Sequence, residues 1–403
     1  MIITNNWILI GLLLVSSAQA DDTSIKYARK ATFLDIEING NIQIAVGEQG
    51  LILRSELNSS SQLVKAAQTK NSNKSSQSDW QVIPSNISTT LTAVSALDNK
   101  IWFAVGHNSK VLFSNDAGKT WQEKIITEAD PLAPWLEILT VAPSTVVLIG
   151  AYGQSALSVD AGKTWRYQPL TEEAEFHLNA AMAFDKTHWL VVGEAGQVYA
   201  TKNAGAKWEN INSPYEGSFF EVQPINDDQI LIAGLRGNAF VGSGFAKWKA
   251  EQIAEPIIAK PIDDKIALES SSKAQLILSE NNAYISDSEN SSNIINDTAS
   301  SQEIIQWQRL PLNEVETWFG SAVIKNNTSN DLILAGSRGS IINFPLQNLG
   351  TTNSYTIKKT SFSALSSIAI DTYAQIIAVG SSKSLQPNSL MEIQSKVLSK
   401  EVP

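Results

Sequence analysis

Short apolar runs separated by polar turns recur along most of this chain. The clearest copy has four runs: Leu91–Leu97, Ile101–Gly106, Val111–Ser114 and Trp121–Ile126. Apolar runs of this length between polar turns predict β-strands, and consecutive strands joined by short turns predict antiparallel hairpins. The repeating unit is therefore predicted to be a four-stranded antiparallel sheet.

Two nearly identical nonapeptides set the period of the repeat. They are SNDAGKTWQ at Ser114–Gln122 and SVDAGKTWR at Ser158–Arg166, which lie 44 residues apart. A period of roughly 40–45 residues built from β-strands is typical of a β-propeller, in which each unit is one blade. The alternative is a β-solenoid, but solenoid coils are shorter than this unit.

A glycine ends the second predicted strand of each unit and gives the number of copies. These residues are Gly47, Gly106, Gly150, Gly193, Gly234, Gly336 and Gly380, with Ser279 in Leu276–Ser279 at the position between Gly234 and Gly336. The eight signatures predict an all-β propeller of seven or eight four-stranded blades. The last copy lacks a clear fourth strand, so we expect Ile25–Lys30, with Tyr27 in place of a closing Trp, to complete it and close the ring.

The repeated nonapeptide has the chemistry of a structural turn. Its Asp can accept backbone N–H groups within the turn, its Gly permits a backbone conformation that other residues resist, and its Trp offers a large apolar face to a neighbouring sheet. The motif also degrades in later copies, as a catalytic residue would not. The residues predicted to have this role are Asp116, Gly118, Trp121, Asp160, Gly162 and Trp165.

The motif Ser-x-Asp-x-Gly-x-Thr-Trp is the Asp-box, or BNR repeat, of sialidases and other propellers. The longer pattern in Ala45–Arg54, Val192–Tyr199 and Ala335–Ile342 resembles the photosystem II stability/assembly factor-like family. The resemblance covers nearly the whole mature chain. It implies a seven-bladed exported propeller that assists the assembly of membrane complexes and has no catalytic residues of its own.

The N-terminus carries an export signal. Trp7–Val15 is apolar and Ser16–Ala20 offers a small-residue cleavage site, although no Lys or Arg precedes the apolar run. We expect residues 1–20 to be cleaved; the alternative, a retained anchor, would need a longer apolar run. The expected location is the periplasm, with an extracellular or lumenal location as the alternative. Residues 21–403 then form a single domain with polar inserts at about 58–78 and 288–301.

Composition narrows the classes of function. The net charge is −10 and no basic stripe is present, which argues against nucleic-acid binding. The chain has no cysteine, and its three histidines, His107, His177 and His188, lack the spacing of metal ligands. No phosphate-cradling loop is recognisable. We therefore expect no cofactor and no metal.

A candidate recognition face follows from propeller topology. The second-to-third turns of the blades and the links between blades should emerge on one side, opposite the Asp-boxes. The turn positions differ from copy to copy, as a partner-binding surface would: Glu48, His107, Tyr152, Glu194, Arg236, Asn281 and Arg338. The links add aromatic residues that either rim this face or belong to the core: Trp135, Phe176, His177, Phe219, Phe220, Trp318 and Phe319.

Two functions are compatible with these features. The first is a non-catalytic scaffold or assembly factor whose partner is a protein, expected to be a membrane complex met on its periplasmic side. Arg236 and Arg338 would then clamp a carboxylate or phosphate. The alternative is a sialidase-like glycoside hydrolase or a glycan-binding propeller. It would need an arginine cluster, for which Arg54, Arg236 and Arg338 are available, and a nucleophile pair such as Tyr152 and Glu194.

Overall fold

A computed structural model describes most of the chain between Ala31 and Ile393. The described residues are 31–56, 80–171, 175–251, 304–325, 330–349, 355–360, 362–370, 376–382 and 390–393. The export signal, the predicted closing strand Ile25–Lys30 and the run Leu276–Ser279 lie outside them, as does Asn281.

The described strands form seven antiparallel sheets, and each sheet follows the order of its strands in the sequence. The first three sheets comprise β1 (Phe33–Asn39), β2 (Ile42–Gly47), β3 (Ile52–Glu56) and β4 (Gln81–Ile83); β5 (Leu91–Ala96), β6 (Trp102–Gly106), β7 (Val111–Ser114) and β8 (Gln122–Lys124); and β9 (Trp135–Val141), β10 (Thr145–Gly150), β11 (Gln154–Ser158) and β12 (Arg166–Pro169). The fourth and fifth comprise β13 (Leu178–Ala183), β14 (Trp189–Gly193), β15 (Val198–Thr201) and β16 (Glu209–Asn210); and β17 (Phe219–Pro224), β18 (Gln229–Gly234), β19 (Ala239–Ser243) and β20 (Gln306–Arg309). The last two comprise β21 (Trp318–Lys325), β22 (Asn330–Gly336), β23 (Ser340–Pro345) and β24 (Thr356–Lys359); and β25 (Phe362–Ile370), β26 (Ile376–Ser382) and β27 (Leu390–Ile393).

The fold is an all-β propeller with four-stranded blades, as predicted, but the predicted number of such blades is wrong. Among the described residues, six blades have four strands and the seventh sheet has three. The error arises in blade five, where the helix α1 (Phe245–Ala250) follows β19. Trp307 of β20 pairs with Gly242 of β19, so β20 is the fourth strand of blade five. The third and fourth strands of blade five are therefore separated in the sequence by residues 252–303, which lie outside the described residues.

The first strands of the sheets are neighbours of one another in chain order, and β25 also contacts β1. Phe33 and Ile36 of the first sheet share an apolar cluster with Ile377 and Val379 of the seventh. The Ser367 hydroxyl donates to Asp35 Oδ1 at 2.8 Å across the same boundary. The first and seventh sheets therefore pack directly on each other within the described part of the chain.

Each glycine that marks the end of a second strand sits at a close backbone crossing. A Cβ on Gly106 would lie 2.1 Å from the carbonyl oxygen of Thr90, and one on Gly47 would lie 2.2 Å from that of Thr32. No other residue fits, because these carbonyls belong to the segment that enters the first strand of the same blade. The contact also explains the β-bulge that follows, for example between Leu91 and Ala93.

The two repeated nonapeptides form turns between the third and fourth strands of blades two and three. In the box of blade three, Asp160 Oδ1 accepts the backbone N–H groups of Lys163 (3.1 Å) and Thr164 (2.9 Å) and the Ser158 hydroxyl, while Oδ2 accepts the Thr164 hydroxyl. The box of blade two repeats these bonds around Asp116. In blade four, Asn203 retains the bonds to Thr201 and Lys207 with a single oxygen. Burial raises the pKa of Asp160, but these hydrogen bonds outweigh it and hold the pKa below its usual value.

The Asp-box Trp packs against the preceding blade. Trp121 of blade two shares a core cluster with Ile42, Ile44 and Val46 of blade one. Gly118 and Gly162 have positive φ, and a Cβ on Gly162 would lie 2.5 Å from the ring of Phe103 in the preceding blade. The box thus seals the boundary between two blades, and its Gly is required by both backbone conformation and space.

We expect Asp160→Ala to destabilise the propeller by about 2 kcal/mol, because four hydrogen bonds to one carboxylate are lost, including that of the buried Ser158 hydroxyl. Asp160→Asn should lose less stability than Asp160→Ala, since Asn203 occupies the equivalent position in blade four. Urea denaturation of the two variants beside the wild type measures the difference. Equal stability of the alanine variant and the wild type would contradict the structural role.

The first strands also carry carboxylates towards the centre of the propeller. At the position that follows the bulge, Asp35, Glu137 and Glu221 of blades one, three and five alternate with Ala93, Ala180 and Gly320 of blades two, four and six. The small residues allow close approach: a Cβ on Gly320 would lie 3.1 Å from the backbone of Ile368 in the seventh sheet. We call Asp35, Glu137, Glu221 and the neighbouring Glu37 the axial carboxylates.

Candidate partner-binding face

The second-to-third turns of the blades and the links between blades lie on one side of the propeller. In blades two, three and five the turn is bonded to the link that enters the next blade: Ser109 N donates to Ala133 O (3.0 Å), Gly153 N to Phe176 O (2.9 Å) and Gly237 N to Glu316 O (2.6 Å). The Asp-boxes bond instead to the first-to-second turns, as Ala117 N does to Lys100 O at 2.9 Å. We call the first side the turn face and the second the Asp-box face.

The turns share one backbone conformation that points a single side chain outward. In five blades the middle residue of the turn has a left-handed φ of 51–57°, is exposed, and precedes a buried glycine with positive φ. These middle residues are Gln49, Tyr152, Ala195, Arg236 and Arg338. In blade two, Asn108 and Ser109 both have positive φ. The fold therefore presents a different side chain from each structurally equivalent position.

Three of the predicted face residues, Tyr152, Arg236 and Arg338, occupy this outward position, whereas Glu48 and Glu194 do not. Glu48 Oε2 accepts the backbone N–H of Thr32 at 3.0 Å, and Glu194 Oε2 accepts that of His177 at 3.1 Å. Both carboxylates thus tie the turn to the start of the first strand of their own blade. His107 is exposed and occupies the position in blade two that Glu48 and Glu194 occupy in their blades. The sequence signal for the outward residue was the glycine that follows it, which would have selected Gln49 and Ala195.

An aromatic group lies where blades three and four meet on the turn face. The rings of Tyr152 and His177 are 5.0 Å apart, and His177 Nδ1 is 2.6 Å from Glu194 Oε2. Burial raises the pKa of Glu194, but the hydrogen bonds and charge of His177 outweigh it and hold the pKa below its usual value. Tyr152 is 66% exposed and Phe176 is 43% exposed. This part of the face therefore offers solvent two aromatic side chains next to the hydrogen-bonded pair His177 and Glu194.

The other link aromatics divide between core and surface. Trp135, Phe219 and Trp318 are fully buried, so they are core residues. Phe220 and Phe319 are the bulge residues of β17 and β21, and their rings lie 5.4 Å apart between blades five and six. Phe176 and His177 are thus the predicted link aromatics that reach the turn face.

The two outward arginines differ in their surroundings. Arg338 Nη2 lies 3.0 Å from Glu316 Oε1, a nearly buried carboxylate that Lys359 Nζ also contacts at 2.5 Å. Burial raises the pKa of Glu316, but Lys359 and Arg338 outweigh it and lower the pKa. Arg236 is exposed in the turn of blade five and makes no ion pair with any described residue. Arg236 is therefore the better placed of the two to bind an anionic group of a partner.

The arginine cluster that a sialidase-like site would need is not assembled. Arg54 is a buried residue of β3, and its Nε donates to Ala117 O of the neighbouring Asp-box at 2.7 Å. It lies on the Asp-box face, whereas Arg236 and Arg338 lie on the turn face. A sialidase-like site would pair Tyr152 with Glu194. Here His177 lies between them and is hydrogen-bonded to the Glu194 carboxylate.

No three His, Asp or Glu side chains in the described ranges are arranged to hold a metal ion. In the same ranges no helix has the length and apolar character needed to cross a bilayer.

Comparison with solved structures supports the architecture. The structure of YCF48 bound to D1 peptide has a TM-score of 0.56 and 14% sequence identity, covering 91% of this chain and 92% of that one. YCF48 from Cyanidioschyzon merolae has a TM-score of 0.53 and 11% identity, covering 91% and 97%. The WD40 β-propeller domain of Doa1 has a TM-score of 0.54 and 8% identity, covering 91% and 93%. At these identities the likeness shows the propeller fold alone.

The family is identified by sequence. No curated protein matches the chain significantly. The sequence profile of the family Photosynthesis system II assembly factor YCF48 matches residues 72–345. Because this match spans more than half of the chain, the protein belongs to the Photosynthesis system II assembly factor YCF48 family.

Proposed function

We propose that this protein is a non-catalytic assembly or stability factor, which binds a protein segment of a membrane complex on its turn face in the periplasm. The observation that carries the proposal is the set of equivalent turns, each pointing a different exposed side chain outward from a rigid support. Such variation at equivalent positions suits recognition of one particular partner. A relative in the family has been solved as YCF48 bound to D1 peptide, which supports a protein segment as the ligand.

Charge reversal at Arg236 gives the sharpest test. The side chain is exposed and has no ion-pair partner among the described residues, so Arg236→Glu should leave the melting temperature nearly unchanged. Co-purification of the partner complex from the native envelope should fall at least about tenfold, because one charge reversal at an interface both removes attraction and adds repulsion.

The control is Arg166→Glu, the same charge change at an exposed residue that begins β12 beside the Asp-box. It should retain the partner. Arg338→Glu is less informative, since it would set a second carboxylate beside the buried Glu316 and weaken the blade itself. Equal recovery of the complex with Arg236→Glu and Arg166→Glu would exclude the turn of blade five from the binding surface.

A further inference from the structure

Three large exposed apolar side chains of the described residues lie on the turn face where blades two, three and four meet. Leu132 is 79% exposed, Tyr152 is 66% exposed and Phe176 is 43% exposed. Large exposed apolar groups that lie together on one side of a soluble domain mark an interaction surface more often than isolated ones do.

Backbone hydrogen bonds join the three segments that carry these side chains. Ala151 N donates to Pro134 O at 3.0 Å, which ties the turn of blade three to the link that carries Leu132. Gly153 N donates to Phe176 O at 2.9 Å, which ties the same turn to the following link. Tyr152 therefore stands between the two links, and we call Leu132, Tyr152 and Phe176 the apolar strip.

The surroundings of the apolar strip are acidic. The described parts of the two links, residues 125–134, 171 and 175–177, contain three Asp or Glu residues and no Lys or Arg. Glu128, Asp130 and Glu175 are exposed, and none of them forms an ion pair with a described residue. Lys110 is already paired with Glu123 in blade two. The strip thus has negative charge on both sides that is not neutralised within the described part of the propeller.

We infer that the apolar strip binds a basic protein segment, in which a large aliphatic or aromatic side chain is flanked by Lys or Arg. The apolar residue would cover Leu132, Tyr152 and Phe176, and the cations would pair with Asp130 and Glu175. Apolar contact at the centre with complementary charge at the rim is the usual anatomy of a protein interface. This inference rests on the proposed function, since it specifies the chemistry of the partner on the same face.

Selection from a displayed library of random 12-residue peptides on the full chain tests the inference. Enriched sequences should combine Phe, Tyr, Trp or Leu with Lys or Arg, and synthetic copies should bind in a fluorescence-polarisation assay. The double variant Tyr152→Ser/Phe176→Ser should weaken binding about tenfold or more, because aromatic anchors dominate interface energies. Asp130→Asn/Glu175→Gln should weaken it less and reduce its dependence on salt.

The control is Val159→Ser, a 65% exposed apolar residue on the Asp-box face, which should leave binding unchanged. Enrichment of acidic peptides, or binding that is unchanged by Tyr152→Ser/Phe176→Ser, would overturn the inference. Peptides that respond only to Arg236→Glu would overturn it while supporting the proposed function. A selection that yields no binder contradicts both.

Discussion

Replacing Trp121 by alanine should lower the free energy of unfolding by about 3–5 kcal/mol, as truncation of a buried Trp commonly does. The indole is 6% exposed, packs on Ile42, Ile44 and Val46 of the preceding blade, and donates from Nε1 to Gly118 O at 3.1 Å. Its loss would leave a cavity at the boundary between two blades. Chemical denaturation followed by circular dichroism measures the effect.

Two matched variants serve as controls for Trp121→Ala. Trp121→Phe keeps most of the apolar contact and should recover more than half of the lost stability, although it loses the indole hydrogen bond. Ile125→Ala removes a large side chain that is 78% exposed, so it should change stability by less than about 0.5 kcal/mol. A loss under about 1 kcal/mol in Trp121→Ala would show that the Asp-box does not join the blades.

Replacing two axial carboxylates, Glu137→Gln and Glu221→Gln, should stabilise the protein at alkaline pH. Burial raises the pKa of Glu221 to about 8. Burial and then the charge of Asp35 raise the pKa of Glu37 to about 8 and that of Glu137 well above its usual value. The strands packed against β1, β9 and β17 carry one charged residue, Lys325, which ends β21 four residues beyond Ser321. Among the side chains that the structure describes, these strands carry no Lys, Arg or His that could compensate the carboxylates.

The direction in which stability changes with pH follows from the number of protons that the folded and unfolded states bind. Between the ordinary pKa of about 4.5 and the raised value of about 8, the folded protein keeps a proton that the unfolded chain has released. Stability is therefore greatest below this window and falls as the pH rises through it. Replacing Glu221 should restore roughly 2–4 kcal/mol at pH 9. Replacing Glu137 should also raise the stability there. Both variants retain their hydrogen bonds, because Gln can still accept from Ile138 N and from the Ser321 hydroxyl.

Thermal unfolding between pH 5 and pH 9 provides the measurement. The wild type should lose stability steadily above about pH 5, and the double variant should show a much flatter profile. Glu128→Gln, at an exposed position of a link, makes the same charge change and should leave the profile unaltered. Parallel profiles of the wild type and the double variant would mean that these carboxylates are ionised and compensated in the folded state.

Sequence reasoning predicted much of the fold because the repeat is local. The period of the Asp-boxes, the glycines at the strand ends and the apolar runs all lie within single blades, so the four-stranded antiparallel sheet could be predicted. The predicted number of blades was wrong because β20, which contains Trp307, pairs with β19 across more than fifty intervening residues. Pairing over that distance is decided by packing and leaves no local signal.

In the candidate site, too, local features were predictable from the sequence and contacts between distant residues were not. The sequence predicted which turns share a face, and it selected Tyr152, Arg236 and Arg338. It could not predict that Glu48 and Glu194 bond back to their own blades, or that Arg338 is held by Glu316.

By itself, then, the sequence determined the blade, its register and the family, because these depend on residues a few positions apart in a repeated unit. The tertiary structure alone decided how many blades form and which side chains remain available on the turn face. It also decided that carboxylates on alternate blades meet near the centre of the propeller. Those properties arise where different blades come together, and the repeat, which describes one blade at a time, contains no information about them.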